Sequence, residues 1–214
     1  MGHPMLNLLA QLIIRLGMVT LPLAPQAPPL VSLDAIVAHP GDYLGQTLRT
    51  HVQVHSEQPA WNSYLTRFGP GAYRCFRVWS DQQILWKASD YGAPLTRLFL
   101  NRRLQRQFSR AKVQERYLCT VVVREWFAGQ PWIEVQRAIR TRKHVPEGAI
   151  LAAIRASDFV ERGAFALALG EFDRALLAPL PPNAARQLTQ ARDACARRAA
   201  LGEVRPVEAS TDRQ

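Results

Sequence analysis

The sequence lacks the short motifs that identify most enzyme active sites. It contains no GxSxG, no HExxH, no Walker-type phosphate loop and no dinucleotide-binding glycine pattern. The acidic residues of its first two thirds are dispersed, so no pair of them can be assigned to one catalytic site. These absences predict a protein that is not an enzyme and needs no cofactor.

Metal-binding patterns are absent as well. The three cysteines, Cys75, Cys119 and Cys195, form no C-x-x-C pair. His51 and His55 share one face of a predicted strand, but about 13 Å of strand separates them, too far to bind one metal ion. We predict no metal site and expect the cysteines to be buried small side chains. A disulfide between Cys75 and Cys119 is the alternative if the protein is exported.

No lysine or arginine precedes the apolar stretch 5–24, MLNLLAQLIIRLGMVTLPLA, although such residues normally begin a secretory signal. The apolar run and the proline-rich stretch after it still favour a signal peptide or a membrane anchor, with a linker up to residue 31. Arg15 is costly at mid-membrane, so an amphipathic helix packed on the protein is a further alternative. We predict an exported or cell-envelope protein, with membrane association through residues 5–24 and the cytoplasm as the alternative.

Positive charge is concentrated in one part of the chain. The 214 residues carry a net charge of +10. Residues 1–146 hold 18 Lys and Arg against 8 Asp and Glu, whereas residues 147–214 hold 9 of each kind. The first part therefore carries any preference for nucleic acid, anionic lipid or acidic polysaccharide, unless its surface is basic for solubility alone.

The segment 32–145 has the pattern of a small β-rich domain. Ser32 is a suitable N-cap for a short helix, Leu33–Ala38. The clearest strand is 48–55, where apolar or β-branched residues alternate with polar ones. Four further runs are predicted as two hairpins, 73–80 with 84–89 and 117–126 with 132–140.

An amphipathic pattern separates these two hairpins. Apolar residues recur at helical spacing, at Leu100, Leu104, Phe108 and Ala111. The opposite side carries an arginine stripe, formed by Arg102, Arg106 and Arg110. We predict one helix between the third and fourth strands, with its apolar side on the sheet and its arginines as a candidate partner-binding patch.

The stretches HPGDYLGQTLRTHVQV and PWIEV resemble small bacterial OB-like domains, over about residues 33–142. The resemblance implies a five-stranded barrel, closed at one end by the helix, with ligands lying across the second and third strands. The candidate partner-binding residues on those strands are Tyr73, Arg77, Trp79 and Trp86. Their aromatic rings would stack on bases in a nucleic-acid binder and would be core and rim packing otherwise.

From residue 146 onward the sequence is rich in alanine and has helical periodicity. Residues 156–176 follow the pattern G-x-[FY]-x-x-A-L-x-x-F-x-x-A-L, which begins at Gly163. This resembles one tetratricopeptide (TPR) repeat, followed by a capping helix at 184–200. A single repeat must dock on the barrel or on a partner chain, and whether it has a peptide groove or only packs stays open.

These patterns predict an α+β protein. Its parts are a signal or anchor with linker (1–31), an OB-like barrel (32–145), a TPR-like unit (146–202) and a disordered tail (203–214). We predict a non-catalytic binding or scaffold protein of the cell envelope that engages a protein or an anionic surface. The alternative is a cytoplasmic protein that binds single-stranded nucleic acid through the Tyr73, Trp79 and Trp86 face.

Overall fold

The computed structural model of the chain describes residues 26–107 and 111–201, with the backbone alone for 105–107. The strands are β1 (Thr47–Gln58), β2 (Tyr73–Trp79), β3 (Thr96–Asn101), β4 (Arg116–Phe127) and β5 (Gln130–Arg140). The α-helices are α1 (Leu33–Ala38), α2 (Ala88–Gly92), α3 (Glu147–Glu161), α4 (Phe165–Leu176) and α5 (Pro182–Ala200). Short 3-10 helices cover Pro40–Tyr43, Ser63–Leu65 and Arg102–Gln107. Within this described part of the chain, no helix has both the length and the apolar character needed to cross a bilayer.

The five strands close into a barrel in the order β1-β2-β3-β5-β4. The pairing of β3 with β5 is parallel, and the other four pairings are antiparallel. The predicted α+β class, a five-stranded barrel followed by helices, is confirmed. The strand order is compatible with an OB-like domain.

Alternation in β1 produces the barrel interior. Leu48, Val52 and Val54 are buried in the barrel core, and Thr50 is buried on the same face of the strand. The turn from β4 to β5 has two residues with positive φ, Ala128 and Gly129, as tight hairpins require. The strand and the second hairpin predicted from the sequence are both confirmed.

Each end of the barrel is covered by a short helix. At one end lies α1, whose N-cap Ser32 accepts a hydrogen bond from the amide of Ala35 and whose Leu33 and Ile36 enter the core. The hydroxyl of Ser80, just after β2, donates to Asp34 of α1. The 3-10 helix after β3 lies at the opposite end, because β3 runs antiparallel to β2.

The predicted helix from Leu100 to Ala111 is wrong as an α-helix. Leu100 belongs to β3, and the chain continues as the 3-10 helix Arg102–Gln107. Three consecutive apolar residues, Leu98 to Leu100, are buried because β3 is covered on both faces. Leu104 and Ala111 do pack against the barrel core, whereas Phe108 lies outside the described residues.

The predicted strand 84–89 is also wrong. The carboxylate of Asp90 accepts a hydrogen bond from the amide of Ile84, and Gln83 donates to the carbonyl of Ala93. These bonds fold the segment into turns that lead into α2, and β3 takes its place as the partner of β2. Leu85 of this segment is buried in a cluster with residues of the later helices, and Trp86 is partly buried against the same cluster.

The helices α3, α4 and α5 follow the barrel as predicted. Gly163 adopts a positive φ of 73° between α3 and α4, which lets the two helices reverse tightly. Phe172 is buried, with Ala168 and Ala175 on the same face of α4.

The helices share a hydrophobic core with the barrel. Trp79 of β2 and Leu85 belong to the same buried cluster as residues of α3, α4 and α5. The side chain of Gln53 donates to the carbonyl of Val145 and accepts from its amide, at 3.1 and 3.2 Å. Asn183 of α5 donates to the carbonyl of Asp81. The helical unit is therefore docked on the barrel of its own chain.

Candidate functional site

The candidate site lies on the outer face of β2 and β3. Phe76, Val78, Leu98 and Leu100 fill the barrel, so the residues alternating with them point outward. On β2 these are Tyr73, Cys75, Arg77 and Trp79, and on β3 they include Arg97 and Phe99. Other parts of the chain cover most of this face.

The loop from β1 to β2 covers the half of the face near Tyr73. Phe68 of this loop is fully buried and stacks on Phe99, with ring centroids 4.6 Å apart. Trp61 packs edge-on against Phe99 and donates from its indole nitrogen to the carbonyl of Phe68. Trp132 of β5 completes the cluster. The long loop thus forms a small second core on the face where OB ligands usually bind.

The helical unit covers the opposite half of the face. Trp79 has 0% of its surface exposed, and its indole nitrogen donates to the carbonyl of Tyr91 at 3.1 Å. Leu85 lies in the same cluster. The ring of Trp79 therefore joins barrel and helices and presents no stacking surface to a ligand.

An open groove remains between the two covered zones. Arg77 and Arg97 lie directly opposite each other on β2 and β3. The groove has a volume of about 640 Å³, and its walls include Ser56, Gln58 and Gln130. We call it the arginine groove.

The arginine groove is positively charged. Among the described residues, neither Arg77 nor Arg97 forms an ion pair. The guanidinium of Arg97 lies 4.9 Å from the ring centroid of Trp132, a cation–π contact that orients it. The one acidic residue of the wall, Glu57, is held in a bidentate pair by Arg74, and this hydrogen bonding lowers the pKa of Glu57. Two arginines are therefore left to attract an anion.

His55 lies beside the groove in an uncharged state at neutral pH. Its Nδ1 is 2.7 Å from the hydroxyl of Ser56, and its ring meets Trp79 edge-on at 4.8 Å. Burial and the nearby charge of Arg77 lower the pKa of His55 below 6.5. The histidine adds positive charge to this region only in acid.

The structure separates the site residues predicted from the sequence. Tyr73 packs edge-on against Phe68 and donates from its hydroxyl to Glu134, and Trp86 lies beside α3. Arg102 is exposed and donates to the carbonyl of Pro70. The side chain of Arg106 and all of Arg110 lie outside the described residues. Among the predicted residues whose side chains the structure describes, Arg77 alone lines the arginine groove.

Sequence reasoning missed Arg97, the second cation of the groove. The incorrect strand at 84–89 took the place of β3 in the predicted pairing and hid the partner of Arg77. The run TRLFLN at Thr96–Asn101 carried a usable signal, because a short apolar run after a proline is typical of a strand buried on both faces.

The cysteines are buried and free, as expected of small core side chains. Burial raises the pKa of Cys75 to about 12 and also raises the pKa of Cys119 and of Cys195. Cys75 lies under the loop, whereas Cys119 lies in the barrel core, so the sheet separates the two thiols. No disulfide joins them in this structure.

Within residues 26–107 and 111–201, no cluster of three or more histidine, cysteine, aspartate or glutamate side chains is placed to hold a metal ion. Comparison with known proteins finds no matching family model, no matching curated protein and no matching solved structure.

Proposed function

We propose that the protein is a non-catalytic binding protein whose barrel engages an acidic segment of a protein partner through the arginine groove. The observation that carries this proposal is the opposed pair Arg77 and Arg97, which lies open between two covered zones and has no ion pair among the described residues. A guanidinium is planar and presents paired N–H donors that match a carboxylate. Two such groups on neighbouring strands suit a run of carboxylates.

The covered zones favour a peptide over a nucleic acid. Base stacking needs exposed aromatic platforms, but the rings of Trp79 and Phe68 are fully buried and that of Trp132 nearly so. Ser56, Gln58 and Gln130 supply neutral hydrogen-bonding groups around the two cations. This composition suits carboxylates and peptide groups better than bases.

The alternative is a protein that binds single-stranded nucleic acid. It is favoured by one observation: the groove lies across β2 and β3, the face that OB folds use for oligonucleotides. Its binding would rest on phosphate contacts and would fall steeply with salt.

A titration with two labelled probes tests the proposal against its alternative. The probes are a glutamate-rich peptide and a mixed-sequence oligonucleotide, each at about 50 mM and about 200 mM salt. The proposal expects tighter binding of the peptide. Binding of the oligonucleotide alone would establish the alternative, and binding of neither probe would overturn both.

We further propose that the barrel is OB-like, that the helices are TPR-like, and that the protein is exported or held at the cell envelope. The strand order supports the OB-like barrel. The turn at Gly163 and the packing of Phe172 support the TPR-like helices, and the apolar stretch 5–24 supports export. Sequencing the amino terminus of the protein purified from its own cell tests export. An intact Met1 in a soluble fraction would contradict it.

A further inference from the structure

The helix α3 has an exposed apolar stripe on the side away from its buried face. Ala152, Ala153 and Ala156 are buried in the core shared with α4 and α5. Leu151 and Ile154 are exposed, by 46% and 37% of their surface. Their spacing of three places both on one face of the helix. α3 therefore has apolar side chains that the core of the helical unit does not bury.

The segment from Leu85 to Tyr91 forms a wall opposite this stripe. Trp86 and Tyr91 lie on the wall, and Leu151 and Ile154 lie on the helix. The space between them has a volume of about 750 Å³ and a mainly apolar lining, within the size range of ligand pockets. We call it the helix groove.

The rim of the helix groove is acidic, although the protein is strongly basic. Glu147, Asp158 and Glu161 lie on the same side of α3 and are exposed. None of the three forms an ion pair with a described residue. Within the described part of the chain, Lys87 is the one basic residue lining the groove, whereas the whole chain has a net charge of +10. The negative charge of this rim indicates that the occupant of the groove is positively charged.

We propose that the helix groove docks an amphipathic helix of a partner protein, with apolar residues on one face and lysines or arginines beside them. The apolar face would cover Leu151, Ile154 and Trp86, and the basic residues would meet the acidic rim. From Glu147 to Glu161 the side of α3 that lines the groove spans about 21 Å, the length of about 14 helical residues. This surface shares no residue with the arginine groove, so the protein has two separate docking surfaces of opposite charge.

Fluorescence anisotropy with a labelled helical peptide of leucine and lysine tests this proposal. A second peptide carries glutamate in place of every lysine. Two groove variants are measured, Leu151→Ser/Ile154→Ser and Asp158→Lys/Glu161→Lys, with the melting temperature of each confirming that it is folded. Leu167→Ser/Leu177→Ser is the matched control, because both leucines are exposed on or next to α4 and neither lines the groove.

We expect the lysine peptide to bind the unchanged protein, and each groove variant to bind it at least tenfold more weakly. The control variant and Arg77→Glu/Arg97→Glu should bind it within about twofold of the unchanged protein, which separates this surface from the arginine groove. The proposal is overturned if the lysine peptide does not bind, if the glutamate peptide binds equally well, or if the groove variants bind like the control. A dimer in sedimentation velocity that Leu151→Ser/Ile154→Ser converts to a monomer would also overturn it, by assigning the groove to a second copy of the chain.

Discussion

Arg77 of β2 and Arg97 of β3 stand directly opposite each other on the outer face of the barrel. Two like charges at such a position are destabilising, because their side chains extend in the same direction at close range. The loop and the helical unit bury the outward residues on either side of this pair, yet leave the pair itself open. This placement of a basic pair is the main support for the proposed binding role.

The first prediction is that removing one charge of the pair stabilises the fold. Arg77→Gln should raise the free energy of unfolding at low salt by about 0.2–1 kcal/mol, because it removes the repulsion by Arg97. Urea unfolding at two salt concentrations measures the change, and salt should reduce it. The matched control is Arg137→Gln, since Arg137 is an exposed arginine of β5 opposite Thr120. A loss of stability in Arg77→Gln would show that Arg77 makes favourable contacts within the fold.

The second prediction concerns the loop that covers the face. Phe68→Ala should destabilise the protein by about 3–5 kcal/mol, because the ring is fully buried and stacks on Phe99. Tyr64→Ala in the same loop is the control, since Tyr64 is 97% exposed and its loss should change stability by less than about 0.5 kcal/mol. Thermal unfolding and limited proteolysis measure both variants. Similar stabilities would contradict the burial of Phe68.

The sequence predicted most of the barrel because its signals there are local. In β1, alternation alone identifies Leu48, Val52 and Val54 as interior residues. The turn before Gln130 and the cap at Ser32 are likewise determined by neighbouring residues. The incorrect predictions lie where distant contacts decide the structure, as at Leu85, whose burial depends on helices that lie about 60 or more residues further along the chain.

The third prediction tests the ion pair at the junction of barrel and helices. Arg116 is buried and donates to both carboxylate oxygens of Asp81, at 2.8 and 2.5 Å. Asp81→Asn should destabilise the protein by about 3 kcal/mol, because it leaves a buried guanidinium without its counter-charge. In a double-mutant cycle, the variant Asp81→Asn/Arg116→Met should lose much less stability than the sum of the two single changes. Additive losses would show that the two side chains do not interact.

The fourth prediction is a loss of stability in mild acid. Burial lowers the pKa of both His51 and His55. The positive charge of Arg116 lowers the pKa of His51 further, and that of Arg77 lowers the pKa of His55 further. The unfolded chain then binds protons at a pH where the folded protein does not, so the free energy of unfolding falls as the pH drops through 6.5. Urea unfolding from pH 7.5 to pH 5.5 measures this slope. His51→Gln/His55→Gln should flatten it, and an unchanged slope in that variant would assign the effect to other groups.

The candidate site was predictable only in part, for a reason visible in its residues. Arg77 could be placed on an outward face by alternation along 73–80. The exposure of Arg77 could not be predicted from the sequence. The neighbouring outward residues Trp79 and Cys75 are covered by α3 to α5 and by the loop, and this depends on the fold of those distant segments. Tyr73 and Trp79 were therefore placed on the correct strand but on a surface that the fold covers, whereas Trp86 does not lie on a strand.

The measurement that tests the central claim most directly is the affinity of the glutamate-rich peptide for the double variant Arg77→Glu/Arg97→Glu. Its control is Arg137→Glu/Arg142→Glu, which changes the net charge by the same amount at exposed positions outside the arginine groove. We predict that the unchanged protein and the control bind the peptide with similar affinity, and that Arg77→Glu/Arg97→Glu binds it at least tenfold more weakly while remaining folded. Equal weakening in the two variants would contradict the account, because it would assign the attraction to the net charge of the protein and not to the arginine groove.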